Sequence, residues 1–314
     1  MPSPNVREIK HLTGKDFENA FQEKLSPYVI DQINKYCFEY EDFSSAEYEK
    51  LLIKIIDVLL DPEVPQSGTH RLPQWEDGWA ENLQALTKSP GDVEQIVPKY
   101  FSKYGAVRWQ GKLIKPKSEK FEFYTLAIIL DWLFEKYCRD TFDIYEFGCG
   151  TGHNLLRIRR LNSHAKLWGL DWASSSQQIL MQLNESSVDK KIFGRRFDYF
   201  NPDYGFNLAE GGIIYTVASL EQVGGHWQPF LDYILQQRPS LCIHVEPVAE
   251  LLDENILLDN LSCKYFRKRN YLNGFLTQLR ALEKAGKITI QKAQRTGIGS
   301  LFIEGYSVIV WHPK

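Results

Sequence analysis

The sequence lacks the marks of a membrane, secreted or fibrous protein. No run approaches the ~18 unbroken apolar residues that a membrane helix needs, and Met1-Pro2-Ser3-Pro4-Asn5-Val6-Arg7-Glu8 holds no apolar core of signal-peptide length. Cys37, Cys138, Cys149, Cys242 and Cys263 are scattered, with no C-x-x-C pair among them. Neither a disulfide framework nor a zinc knuckle is indicated, and a reducing, cytoplasmic setting fits. Charge of one sign is missing as well. With 37 basic against 40 acidic side chains the formal net charge is -3, which excludes a polycation coating nucleic acid and a disordered tail protein. Methionine is scarce, at two residues, and there is no internal repeat or low-complexity tract.

Aromatic residues, by contrast, are plentiful: 8 Trp, 16 Tyr and 18 Phe in 314 residues. That length accommodates one catalytic-size domain with substantial extra material. Rings beyond the needs of a core often line a pocket or an interface. The front of the chain, residues 1–120, reads as a mainly helical substrate or lid region. Tyr48 to Leu60 carries apolar residues at spacings of three and four and stops at Asp61-Pro62. Pro65 to Trp79 is rich in turn formers yet holds Trp75 and Trp79, so it reads as a packed, functional loop.

From Phe121 the texture changes, and residues 121–314 form the second region. A helix over FEFYTLAIILDWLFEKYC is followed by a strand ending at Phe147. Strand patterns at Lys166 to Leu170, Ile192 to Phe197, Gly212 to Thr216 and Leu241 to Val245 then alternate with helical ones. This predicts an α/β fold with a doubly wound, mostly parallel sheet of seven strands. Lys287 to Arg295 and Tyr306 to Trp311 lie too close for a crossover helix. They are expected to pair as a hairpin, adding one antiparallel strand at the carboxyl end.

Glu146-Phe147-Gly148-Cys149-Gly150-Thr151-Gly152 follows the first of these strands and opens a helix. Its glycines permit a sharp turn and close approach of a ligand, and amides at the helix start offer donors. The spacing is G-x-G-x-G with an acid two residues earlier, unlike the dinucleotide fingerprint G-x-G-x-x-G. A cofactor with a cationic amino-acid end suits such an acidic neighbour. Asp171, at the tip of the next strand, is placed to accept ribose hydroxyls, and Asp198 after the third strand to accept from an adenine amino group. Together these features define a nucleoside site.

On these motifs the segment from Ile144 to the carboxyl terminus resembles the class I S-adenosylmethionine-dependent methyltransferases. The terminal hairpin is similar to the reversed seventh strand of that family. The resemblance implies that Glu146, Gly148, Cys149, Gly150 and Gly152 hold the methionine part of S-adenosyl-L-methionine, Asp171 the ribose and Asp198 the adenine edge. The run Ser219-Leu220-Glu221-Gln222-Val223 resembles a post-strand motif that lies alongside cofactor and substrate in small-molecule methyltransferases. Trp172 and Trp227 stand near strand ends, where they are candidates to stack on adenine or close the pocket.

Methyl transfer from a sulfonium is an in-line displacement, so the protein supplies alignment, desolvation and, for an oxygen acceptor, a base. His226, His244, Glu246 and Glu221 are the candidate bases, because their expected places at and beyond the ends of the fourth and fifth strands converge on one sheet edge. Each also has a bland reading, as a buried strand histidine, a cap or a helix-start acid. No i,i+3 or i,i+4 ligand pair supports a metal, and none is expected. Trp75, Trp79, Arg108 and Trp109 in the front region, with Trp227, are the candidate substrate contacts. The basic run Lys264 to Arg269 is a phosphate contact or, more simply, a solvated face.

The reading is therefore methyl transfer to a small-molecule acceptor, a sugar or natural-product hydroxyl ahead of a nitrogen, by a protein without membrane or nucleic-acid partners and compatible with a homodimer. Its rivals are a methyltransferase acting on RNA or a protein side chain, a catalytically silent cofactor-binding sensor or scaffold, and an NAD-dependent oxidoreductase.

Overall fold

The computed structural model describes residues 7–101 and 103–314; the opening residues 1–6, part of the stretch read above for a leader, lie outside the described residues. The front of the chain is built from strand β1 (Lys10–His11), helices α1 (Gly14–Phe21) and α2 (Pro27–Asn34), strand β2 (Glu39–Asp42) and helix α3 (Ser45–Leu60). α3 begins where the Ser44 hydroxyl accepts from the Glu47 amide and the Glu47 carboxylate accepts from the Ser44 amide at 2.9 Å, a reciprocal cap. Helix α4 (Leu72–Lys88) occupies much of the stretch expected to be a loop. Pro73 falls in its first turn, where a missing N–H costs nothing, and Trp75, Trp79, Asn82 and Leu86 then recur on one face. Strands β3 (Val107–Trp109) and β4 (Lys112–Pro116) form a hairpin across Gln110 and Gly111, both at positive φ as a tight turn demands.

Helix α5 (Phe121–Tyr137) is apolar nearly all round and correspondingly buried. Then come β5 (Asp143–Phe147), α6 (His153–Leu161), β6 (Lys166–Asp171), α7 (Ser174–Ser186), β7 (Ile192–Arg196), β8 (Ile213–Val217), α8 (Gln228–Gln237), β9 (Leu241–Glu246), α9 (Leu257–Arg269), α10 (Phe275–Lys284), β10 (Ile288–Gln294), β11 (Ile298–Ser300) and β12 (Ser307–Pro313). The large sheet has seven strands in the order β10-β12-β9-β8-β5-β6-β7. Its strands are parallel except β12, which runs antiparallel to both β9 and β10. The expected mostly parallel sheet with one reversed strand is thus present. Strand order turns back between β5 and β8, and open sheets bind ligands beyond the strand ends at such a switch point.

The front region holds the four helices α1 to α4, and strands that its mainly helical reading did not include. Its strands form a second, five-stranded antiparallel sheet, β1-β2-β4-β3-β11. The last of these strands comes from the other end of the chain: Ile298 pairs with Trp109 and Ser300 with Val107. The turn between β10 and β12 therefore makes an excursion to the front sheet. Arg295 anchors it: both terminal nitrogens lie 2.8 Å from Asp259 oxygens, while Nη2 and Nε reach Glu304 at 2.7 and 2.9 Å. One apolar core runs through both regions, from Phe17 and Phe21 to Ile144 and Val308. Phe21 stacks on Trp132 at 4.5 Å, and its complete burial is worth about 2–3 kcal/mol. No helix among the described residues is long and apolar enough to cross a membrane.

Candidate active site

At the switch point the chain leaves β5 through three glycines with φ of 69°, 52° and 73° at Gly148, Gly150 and Gly152. Two of them are required by contact as well as by angle. A Cβ on Gly148 would stand 2.4 Å from the Ser219 Cβ, and one on Gly150 only 2.8 Å from Cζ2 of Trp79. Glu146 lies behind this loop. It accepts from Asn154 Nδ2 at 2.7 Å and from the Tyr215 hydroxyl at 2.9 Å, yet burial pushes its pKa up to about 8. Asp171, at the tip of β6, accepts from the Gly150 amide at 2.8 Å and the Ala173 amide at 2.9 Å, so the acid fixes the glycine loop to the neighbouring strand. Burial outweighs those bonds and raises its pKa to about 6.

These groups open onto a cavity of about 580 Å³, within the range of ligand sites. Glu146, Gly148, Cys149, Gly150, Asp171, Trp172, Ser219 and Glu221 line it, as do Trp75 and Trp79 from the front region. α4 forms that roof. Glu76 caps α7 from across the gap, accepting from the Ser174 amide at 2.6 Å and the Ser175 amide at 2.8 Å. Trp75 and Trp79 stack at 5.5 Å with Trp79 seated on Gly150. Trp172 and Phe200, near the ends of β6 and β7, present near-parallel rings 6.2 Å apart. Ser219 donates to the Phe147 carbonyl and pairs with the Tyr199 hydroxyl, each at 3.0 Å.

Several candidates are placed elsewhere. His244 is sealed in the core: Nδ1 pairs with the Thr216 hydroxyl at 3.0 Å and Nε2 accepts from the Trp311 indole at 3.0 Å. Burial lowers its pKa to about 3, so it is a neutral strand histidine and not a base facing the cavity. Glu246 is fully buried and accepts from the amides of Ser219, Leu220 and Glu221 at 3.0–3.2 Å. It shapes the loop after β8 from beneath. His226 is exposed on the surface, outside the cavity lining. Trp227 is also outside it, donating to the Asn273 carbonyl at 2.7 Å and packing edge-on to Phe275.

Arg108 is likewise corrected from a substrate contact to a buried tie. Its guanidinium donates to the Leu258 and Leu301 carbonyls and the Ser262 hydroxyl, binding β3 to α9 and to the β11 excursion. Trp109 packs edge-on to Phe17 at 5.1 Å in the core. Asp198 accepts from the Phe200 amide at 2.9 Å and caps its own turn, outside the cavity lining. Gly152 packs against Leu180 of α7.

Glu221 is the candidate base that the fold turns inward. It is 8 % exposed, accepts from Gln222 Nε2 at 2.9 Å, and burial first and Glu246 second push its pKa up to about 8. The sequence reading did not single out Tyr100, Asn154, Tyr199, Tyr271 or Arg71, which also line the cavity. Only Tyr199 carried a sequence signal, its place directly after the third strand. The basic run does not make one surface: Arg267 contacts Glu254 outside, whereas Arg269 turns into the cavity. Among the described residues no group of three or more His, Cys, Asp or Glu is arranged to hold a metal ion.

No protein-family model matches the chain, and no curated protein sequence does. Solved structures do resemble it. An O-methyltransferase of neocarzinostatin biosynthesis, in complex with S-adenosylmethionine and 2-hydroxy-5-methyl naphthoic acid, aligns over 86% of this chain and 70% of its own at 9% identity and a TM-score of 0.46. An N-methyltransferase from Bradyrhizobium japonicum WM9, in complex with S-adenosyl-L-homocysteine, aligns over 60% of this chain and 86% of its own at 12% identity and 0.43. A small RNA methyltransferase aligns over 59% of this chain and 25% of its own at 15% identity and 0.43. With acceptors this varied and identities this low, the reading of the site rests on the residues described above.

Proposed function

We propose that this chain is an S-adenosylmethionine-dependent methyltransferase that modifies a hydroxyl of a small molecule. The observation that carries the reading is the convergence of the glycine loop, Glu146 and Asp171 on one cavity roofed by α4. Gly148 and Gly150 provide a cradle that any side chain would fill. Asp171 is read as the ribose acceptor, and the near-parallel rings of Trp172 and Phe200 offer flat faces for an adenine. The cofactor, when bound, supplies an electrophilic methyl group on a cationic sulfur. Burial raises the pKa of Glu146 and Glu221 to about 8 and that of Asp171 to about 6, and a cation placed among them favours their charged forms.

The chain's own part is alignment, exclusion of water and proton removal. Trp75 and Trp79 close the roof. Glu221, with a pKa of about 8, is matched to take a proton from a hydroxyl near neutral pH. Equilibrium binding tests the reading. S-Adenosylmethionine and S-adenosylhomocysteine are expected to bind the purified protein, and Asp171→Asn to weaken both about tenfold, the loss of roughly one charge-assisted hydrogen bond. Absence of binding refutes the proposal.

A further inference from the structure

The cavity holds two arginines that, among the described residues, form no ion pair. Arg71, in the short turn Thr69–Arg71 before α4, is 6 % exposed, and its Nε and Nη1 are buried with no hydrogen-bond partner. Arg269, the last residue of α9, lines the same cavity and also has an unpaired, buried Nε. Its Nη2 reaches only the Tyr271 hydroxyl at 3.4 Å, and its guanidinium lies over the Tyr271 ring. Among the described residues neither arginine has a carboxylate within 4 Å. Every other strongly buried arginine here is satisfied in some measure: Arg157 by Asp131 at 2.8 Å, Arg108 by two carbonyls and a hydroxyl.

The backbone brings the pair together. The Ser67 amide donates to the Arg269 carbonyl at 2.7 Å, and the Ser67 hydroxyl donates to the Asn270 carbonyl. The turn bearing Arg71 is thereby fastened to the end of α9. Burial, and then the charge of Arg269, lower the pKa of Arg71. The first turn of α4 directs its positive end to the same place, because Arg71 is its N-cap residue and no side chain caps it. The acid that faces the arginines is Glu221, already held by Gln222.

Buried like charges without a counterion are costly, and such a cost persists where a ligand supplies the missing charge. We propose that Arg71 and Arg269 form an oxyanion subsite for the methyl acceptor, receiving a carboxylate or a phosphate ester while Tyr265, Tyr271 and Phe302 flank its apolar body. The acceptor is then a hydroxylated acid or phosphate ester, held with its hydroxyl toward Glu221. The identity of this ligand as the acceptor rests on the methyltransferase reading; the anion subsite itself does not.

Calorimetric titration of the full chain with benzoate, phenyl phosphate and the neutral isostere benzamide, with and without S-adenosylhomocysteine, tests this. Benzoate or phenyl phosphate is expected to bind at least about tenfold more tightly than benzamide. Which of the two does so identifies the source of the oxyanion. Arg71→Gln and Arg269→Gln are each expected to weaken the anion about 10- to 100-fold, the range for one or two charge-assisted hydrogen bonds. Benzamide and S-adenosylhomocysteine affinities should stay unchanged, and Arg71→Lys should recover part of the loss. If Arg71→Gln does not fold, Arg269→Gln at the half-buried helix end carries the same test. Anions that bind no better than benzamide, or equally well to the variants, overturn the proposal. So does a parallel loss of S-adenosylhomocysteine in the variants, which assigns the pair to the amino-acid end of the cofactor. Discrimination of anions without any cofactor binding leaves the subsite standing and refutes the methyltransferase reading alone.

Discussion

Replacing Glu221 by glutamine should flatten the dependence of stability on pH in the ligand-free protein. The folded pKa of Glu221 is pushed up to about 8, by burial first and by the neighbouring Glu246 second, whereas an ordinary glutamate titrates at about 4.3. Between these values the unfolded chain has released its proton and the native chain still holds it. Stability therefore falls as pH rises, by up to about 1.4 kcal/mol per pH unit, and the contribution is intact below about pH 4.3. The gap sets a ceiling of about 5 kcal/mol near pH 8. Because Glu221 borders a cavity that water enters, about 2–3 kcal/mol is the expected size. Glutamine keeps an acceptor oxygen for Gln222, which now donates at 2.9 Å, so the substitution removes the titration with little change of shape. Urea unfolding at pH values from about 5.5 to 8.5 should show the variant gaining on the wild type as pH rises. Parallel curves would refute the argument that this carboxyl is held neutral in the fold.

Other substitutions probe the roof, the loop and the anchor. Glu76→Ala removes the cap that α7 receives from α4; since Ala173, the N-cap residue, has no side-chain bond to offer, a loss of about 1–2 kcal/mol is expected in urea unfolding. Burial raises the Glu76 pKa, but the bonds from Ser175 and Ser174 outweigh it and hold the value low, so this contribution is present above the ordinary glutamate range and fades as pH falls below it. Gly148→Ala places a Cβ 2.4 Å from the Ser219 Cβ at a φ of 69°. Beyond about 1–2 kcal/mol of backbone strain, it should cost more than about tenfold in S-adenosylhomocysteine affinity, and unchanged affinity counts against the loop as the cofactor cradle. Arg295→Met strands the buried acids Asp259 and Glu304 and should destabilise by about 3 kcal/mol or more; a loss below about 1 kcal/mol argues against the anchor.

What could be read from the sequence was whatever is specified locally. The strands of the large sheet announce themselves as short apolar runs between glycines and amphipathic helices, and the loop at Gly148 has a spacing that few other structures require. The front sheet was not visible, because strands of two to five residues have no period to detect and β11 finds its partner across most of the chain. α4 was hidden by Pro65, Gly68, Pro73 and Gly78, punctuation that reads as a loop although Pro73 sits where a helix tolerates it. At the site, residue type and strand position could not separate His244 from Glu221. Only the pairing of both His244 nitrogens, and the turning of Glu221 toward the cavity, does so. Arg71 gave no signal, since a partnerless buried charge is a property of surroundings and not of neighbours in sequence.

The pairing of β11 with β3 has a consequence for how the chain is made. During synthesis β3 leaves the ribosome with its outer edge open, and the residues that cover it, Ile298–Ser300, follow only after β10. At about 5–20 residues per second the interval is on the order of 10–40 s. An exposed strand edge left waiting that long invites pairing with another chain. The front sheet thus stays incomplete until nearly every other strand has been made, β12 alone following β11. Residues 1–120 made alone should aggregate, and should become tractable when residues 121–314 are supplied as a second polypeptide that brings the missing strand.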